Sequence, residues 1–128
     1  MSKTNNKAQL YTLPLKRAMN MMTDAERSMK MYAESIKTFA GKYAIEDWHS
    51  SPISDYMDAY LNAKVLRDFI QRSIEDPDEA IKDYLKKNTI DGLLVTRDQL
   101  TMLYTLSTNF EQSKDHMNKT YGFSTLLN

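Results

Sequence analysis

From Leu15 to Tyr43 the residues Leu15, Ala18, Met22, Ala25, Met29, Tyr32, Ile36, Phe39 and Tyr43 follow one another at alternating steps of three and four. Tyr11 continues the series by a further step of four. Such spacing, kept over four heptads, lays one apolar stripe along a helix and predicts burial of that stripe against other helices. At about 1.5 Å per residue the helix runs to roughly 45 Å, longer than a compact domain of this size needs, which makes it the expected spine of the fold.

Local signals refine this spine. Pro14 is placed as the first helical residue. Thr23-Asp-Ala-Glu26 matches a capping box that would divide the helix, but the heptad phase passes through Thr23 without a slip and favours one helix to about residue 45. Met19, Glu26, Ala33 and Ala40 widen the apolar face beyond a two-position seam, which suits a bundle better than a two-stranded coil. Lys16, Lys30 and Lys37 share another heptad position, either as a solvated face or as a row that meets an anion.

Downstream, Glu46-Asp-Trp-His-Ser50 ends the spine and Ser51-Pro52 opens a helix over about 52–75. This helix carries two stripes. Ile53, Tyr56, Tyr60, Ala63, Leu66, Ile70 and Ile74 form one; Met57, Leu61, Val65 and Phe69 form the other. A helix apolar around most of its circumference has to be covered on more than one side, so the second stripe is a candidate interface. Asp76-Pro-Asp-Glu79 reads as a capping box for a short helix over about 77–87, with Ala80, Ile81, Tyr84 and Leu85 facing inward. Asn88 to Gly92 is a loop, and Leu93-Leu-Val95 is brief and apolar, either extended or packed under the helices. Thr96-Arg-Asp-Gln99 is a third capping box, opening a helix to about 120 that is buried through Leu103, Leu106, Phe110, Ser113 and Met117. Gly122 follows as a C-cap, and Phe123, Leu126 and Leu127 form an apolar tail. The expected fold is all-α: a flexible polar arm over 1–9, then a single helical domain over 10–128 with four main helices and a surface shared with another chain.

Composition bounds the chemistry. With 128 residues and 41% hydrophobic content the chain can bury a core, while 3 Gly and 3 Pro leave few turns and require long elements. The absence of Cys removes disulfides, thiolate metal sites and thiol nucleophiles. No apolar run reaches membrane-spanning length and the first residues lack a signal peptide's apolar core, so a cytoplasmic protein is expected. Net charge is zero, with 17 basic and 17 acidic side chains, so no global basic field points to nucleic acid. The charge is uneven: +5 over residues 1–43, −6 over 44–83 and +1 over the remainder, which suits pairing of antiparallel helices or head-to-tail stacking of copies.

Catalytic signatures are sparse. Glu46-x-x-His49 has the spacing of half a helical di-iron site, but the only other histidine, His116, is preceded at the equivalent position by Ser113. Asp55-x-x-Asp58 and Asp76-x-x-Glu79 resemble the paired acidic helices of all-helical nucleotide pyrophosphohydrolases, a resemblance confined to these positions and implying Mg²⁺ held by four carboxylates. Helix capping and first-turn acidity explain the same residues without a ligand. No phosphate loop, nucleophile elbow or Ser-His-Asp set is present, and the connection between residues 77–87 and 97–120 is too long for a helix-turn-helix. No metal or cofactor is called for.

Nine Met and eight Tyr sit mostly on the buried stripes, a composition that suits surfaces where proteins meet. The leading expectation is a non-catalytic interaction protein that assembles with itself or binds another protein, of the kind carried by phages and mobile elements as accessory or inhibitor proteins. The second is a binder of a small anionic ligand such as a nucleotide, held between subunits by Tyr rings and by Lys16, Lys30 and Lys37. The third is an Mg²⁺-dependent phosphohydrolase.

Overall fold

The computed structural model describes residues 9–122, which are mostly helical. Four α-helices, α1 (Leu15–Ala40), α2 (Pro52–Glu75), α3 (Glu79–Lys87) and α4 (Arg97–Tyr121), are joined by a 3₁₀ turn at Ile45–Ser50 and by two short strands. The strands, β1 (Leu10–Leu13) and β2 (Leu93–Thr96), pair antiparallel from Leu10↔Thr96 to Leu13↔Leu93. Residues 1–8 of the expected arm and the apolar tail Phe123, Leu126 and Leu127 lie outside the described residues. No described helix is long and apolar enough to cross a membrane.

α1 is a single helix through Thr23. Ala18, Ala25, Met29 and Tyr32 of the heptad are buried, and so is Ser28 on the same face. A capping box is worth about 1 kcal/mol, less than the loss from exposing Met29 and Tyr32 would be, so the seam overrides the cap. Both ends of α1 depart from the expectation. Tyr11 does not extend the helix but pairs with Val95 in β1. Pro14 stands just outside the helix instead of at its first position, at φ −54° and ψ 128°, with its carbonyl accepting the Arg17 and Ala18 N–H groups. A residue before proline is held extended, which keeps Leu13 in the strand. At the other end α1 stops at Ala40, short of 45, with the Phe39 carbonyl accepting the Lys42 and Tyr43 N–H groups; Tyr43 is exposed.

α1 and α4 each pack along α2, which occupies the middle of the fold. The boundaries of α2 follow its caps: Ser51 Oγ accepts the Ile53 N–H at 3.2 Å and Pro52 is the first helical residue. α4 opens with both bonds of its box, Gln99 N–H to Thr96 Oγ1 at 3.1 Å and Thr96 N–H to Gln99 Oε1 at 2.9 Å. It closes on Gly122 at φ 75°. The main core gathers Ala25, Ala63, Leu66, Ile70, Val95 and Phe110 from both strands' neighbourhood and all three long helices.

The box at Asp76–Glu79 does not form. Asp76 closes α2, its N–H donating to the Arg72 carbonyl at 2.8 Å, and a residue ending one helix is not free to cap the next. α3 therefore starts at Glu79, and Asp78 before it makes no side-chain cap bond. The inward face expected for α3 is largely open: Ile81 is buried beside β2, whereas Ala80, Tyr84 and Leu85 are exposed. The turn into β2 depends on Gly92. Its φ is +158°, and a Cβ there would lie 2.6 Å from the Leu13 carbonyl oxygen and 2.8 Å from Thr12 Cγ2.

Candidate functional site

The inner side of α2 is sealed by Ile53, Tyr56, Ala59, Ala63, Leu66 and Ile70, all buried. Its outer side carries Met57, Leu61 and Val65, which are 43%, 52% and 47% exposed. Three large apolar side chains one turn apart make a continuous strip on the central helix. Phe69, expected to complete the strip, instead packs against the main core. Steps of four residues on a helix of 3.6 residues per turn drift by about 40° each, so three steps from Met57 turn Phe69 toward the buried side. Three of the four residues of the expected interface thus lie on the exposed side of α2, and Phe69 lies partly buried against the core.

Charged groups frame the strip. Lys64 Nζ and Arg67 Nε both lie 2.7 Å from Asp68 carboxylate oxygens, and Arg67 reaches Glu26 on α1 at 3.4 Å. The hydrogen bond from Lys64, followed by that from Arg67, holds the Asp68 carboxyl below the usual carboxylate range. The network fixes Lys64 and Arg67 beside the strip. Asp58, at the other end, is exposed and makes no ion pair with a described residue.

Lys16, Lys30 and Lys37 are exposed on α1 and do not converge. About 21 Å of helix rise separates Lys16 from Lys30 and about 10 Å separates Lys30 from Lys37. Lys30 borders a shallow depression that also contains Glu26 and Arg67. A shared heptad position aligns side chains along an axis; it does not gather them round a ligand. The four carboxylates are equally dispersed, because Asp55 and Asp76 mark opposite ends of α2. Asp76 and Glu79 both face Lys82, at 3.4 and 3.6 Å. Glu46 and His49 sit in the exposed 3₁₀ turn. Among the described residues no group of three or more His, Asp or Glu side chains is placed to hold a metal ion.

One polar cluster has no counterpart in the sequence reading. Tyr121 Oη–H donates to Asp55 Oδ2 at 2.7 Å, and His116 Nε2 lies 3.8 Å from the same oxygen. The Tyr121 ring is 4.9 Å from Tyr56, which stacks on Phe39 at 5.4 Å. Burial, followed by the bond to Asp55, pushes the Tyr121 phenol up to about 12. The cluster ties the end of α4 to the start of α2. Asp55 and Tyr121 are 66 positions apart in sequence, and no local spacing marks their meeting.

Comparison with known proteins returns no matching family, no matching curated relative and no matching solved structure.

Proposed function

We propose that this chain is a non-catalytic interaction protein of the cytoplasm, in which a bundle of three long helices presents the outer face of α2 to a second copy of itself or to a partner protein. The observation that carries the reading is the strip of Met57, Leu61 and Val65, left half-exposed on the one helix that is otherwise the most enclosed. Contiguous apolar patches on a folded surface mark sites of association.

The magnitudes set the kind of interface. Completing the burial of three half-exposed side chains contributes on the order of 1 kcal/mol each. Association costs roughly 4–15 kcal/mol, so the strip acts as the central anchor of a larger contact and does not suffice alone.

The test is native mass spectrometry over a range of protein concentration, on the natural sequence and on Leu61→Glu. The expected result is an oligomer that the substitution dissociates while far-UV circular dichroism stays unchanged. A chain that remains monomeric and loses no partner on substitution overturns the reading, and one that unfolds on Leu61→Glu reassigns the strip to the core.

A further inference from the structure

β1 and the first turns of α1 and α4 enclose a groove of about 250 Å³ at the strand end of the molecule, away from the outer face of α2. It exists because α1 and α4 pack on α2 far more than on each other, and β1 crosses the gap between them. Further along the same seam Lys114 on α4 bridges to Asp24 on α1 at 2.7 Å, but among the described residues no ion pair spans the strand end. The walls are apolar, formed by Ala18, Met21, Leu100 and Leu103.

Among the described residues, the polar groups around these walls are one cation and a few hydroxyls. Among the described residues Arg17 is the only charged one lining the groove, and it is exposed with no ion pair or hydrogen bond to a described residue. No carboxylate of a described residue lines it. Tyr104, 70% exposed, stands at the rim with no ring partner among the described residues, an aromatic left in water where an occupant would cover it. Ser107 and Thr12 add hydroxyls. Apolar walls with a single converging cation are the usual composition of a small-molecule site, and a guanidinium selects a carboxylate through two parallel N–H donors. The volume lies just under the ~300–1,000 Å³ of pockets for drug-sized ligands and matches a body of one or two rings.

We infer that this groove binds a small aromatic carboxylate, its ring system between Leu100, Leu103, Met21 and the Tyr104 ring, and its carboxylate on Arg17. The site is separate from the α2 face and stands whether or not that face is an interface.

The probe is 2-naphthoate, titrated into ¹⁵N-labelled protein and followed by amide chemical shifts, with the uncharged 2-naphthamide as its control. Saturable shifts at Ala18, Met21, Leu103 and Ser107 are expected. Arg17→Gln should weaken naphthoate about tenfold and leave naphthamide unchanged; Tyr104→Ala should weaken both. Both residues are exposed, so the spectra of the variants should otherwise overlay on the parent. The inference is overturned by an absence of saturable shifts up to the probe's solubility, by shifts that map elsewhere, or by equal affinity in Arg17→Gln.

Discussion

At one end of the long helices the fold is fastened by side chains: Tyr121 bonded to Asp55 at 2.7 Å, its ring 4.9 Å from Tyr56, and Tyr56 stacked on Phe39 at 5.4 Å. At the other end it is fastened by backbone, in the four-pair ladder of β1 and β2. The two kinds of fastening fail differently. Rings and hydroxyls contribute piecewise, so losing one leaves the others in place. A ladder depends on register and on the turn that feeds it, and Gly92 is pressed against Leu13 with no room for a side chain.

The largest expected effect is therefore Gly92→Ala. The clash at 2.6 Å with a backbone oxygen, added to a φ that L-residues avoid, should cost about 3 kcal/mol or more in urea unfolding. Tyr121→Phe keeps the ring and removes one charge-assisted bond, at about 1 to 2 kcal/mol. If Gly92→Ala costs no more than Tyr121→Phe, the contrast between the two ends collapses.

A pH series sharpens it. Burial and Asp55 raise the Tyr121 phenol from 10.0 to about 12, and burial and Asp24 do the same for Tyr32. The fold favours the neutral phenols, so this stability is intact below pH 10.0 and is lost as pH rises through about 12. Urea midpoints should fall across that window, and less steeply in Tyr121→Phe than in the parent. The smallest effect is expected at neither end: Leu61→Glu, on the exposed strip of α2, should change stability by no more than about 0.5 kcal/mol while removing assembly.

The elements that were legible in the sequence are those fixed by neighbours in sequence. Ser51-Pro52, the Thr96–Gln99 box and Gly122 set the bounds of α2 and α4 because each cap is a bond across a few residues. The single run of α1 was legible because the buried positions kept phase through Thr23. What escaped was set by tertiary placement. Tyr11 fits the heptad arithmetic, yet its partner Val95 lies far along the chain. Asp76–Glu79 has the letters of a capping box in a place where α2 has already claimed the first of them. For α3, periodicity identified an apolar face, but only the position of β2 decides that Ile81 alone is covered. Of the candidate strip, Met57, Leu61 and Val65 stand exposed as their spacing predicts, and Phe69 turns toward the core because a row of fours is not parallel to the helix axis. The groove beside Arg17 had no sequence signal, since three separate elements supply its walls.

The β1–β2 ladder also carries a consequence for the order of events in folding. Its innermost pair, Leu13 and Leu93, is separated by 80 positions, so forming it from an open chain means closing most of the molecule into a loop. That closure costs roughly 4 kcal/mol, as much as the net gain of about four ladder hydrogen bonds. The ladder thus gains its advantage only after α1, α2 and α4 have docked and brought its strands together. It is expected to be the last part of the chain to assemble and the first to open, and the groove that β1 completes comes and goes with it.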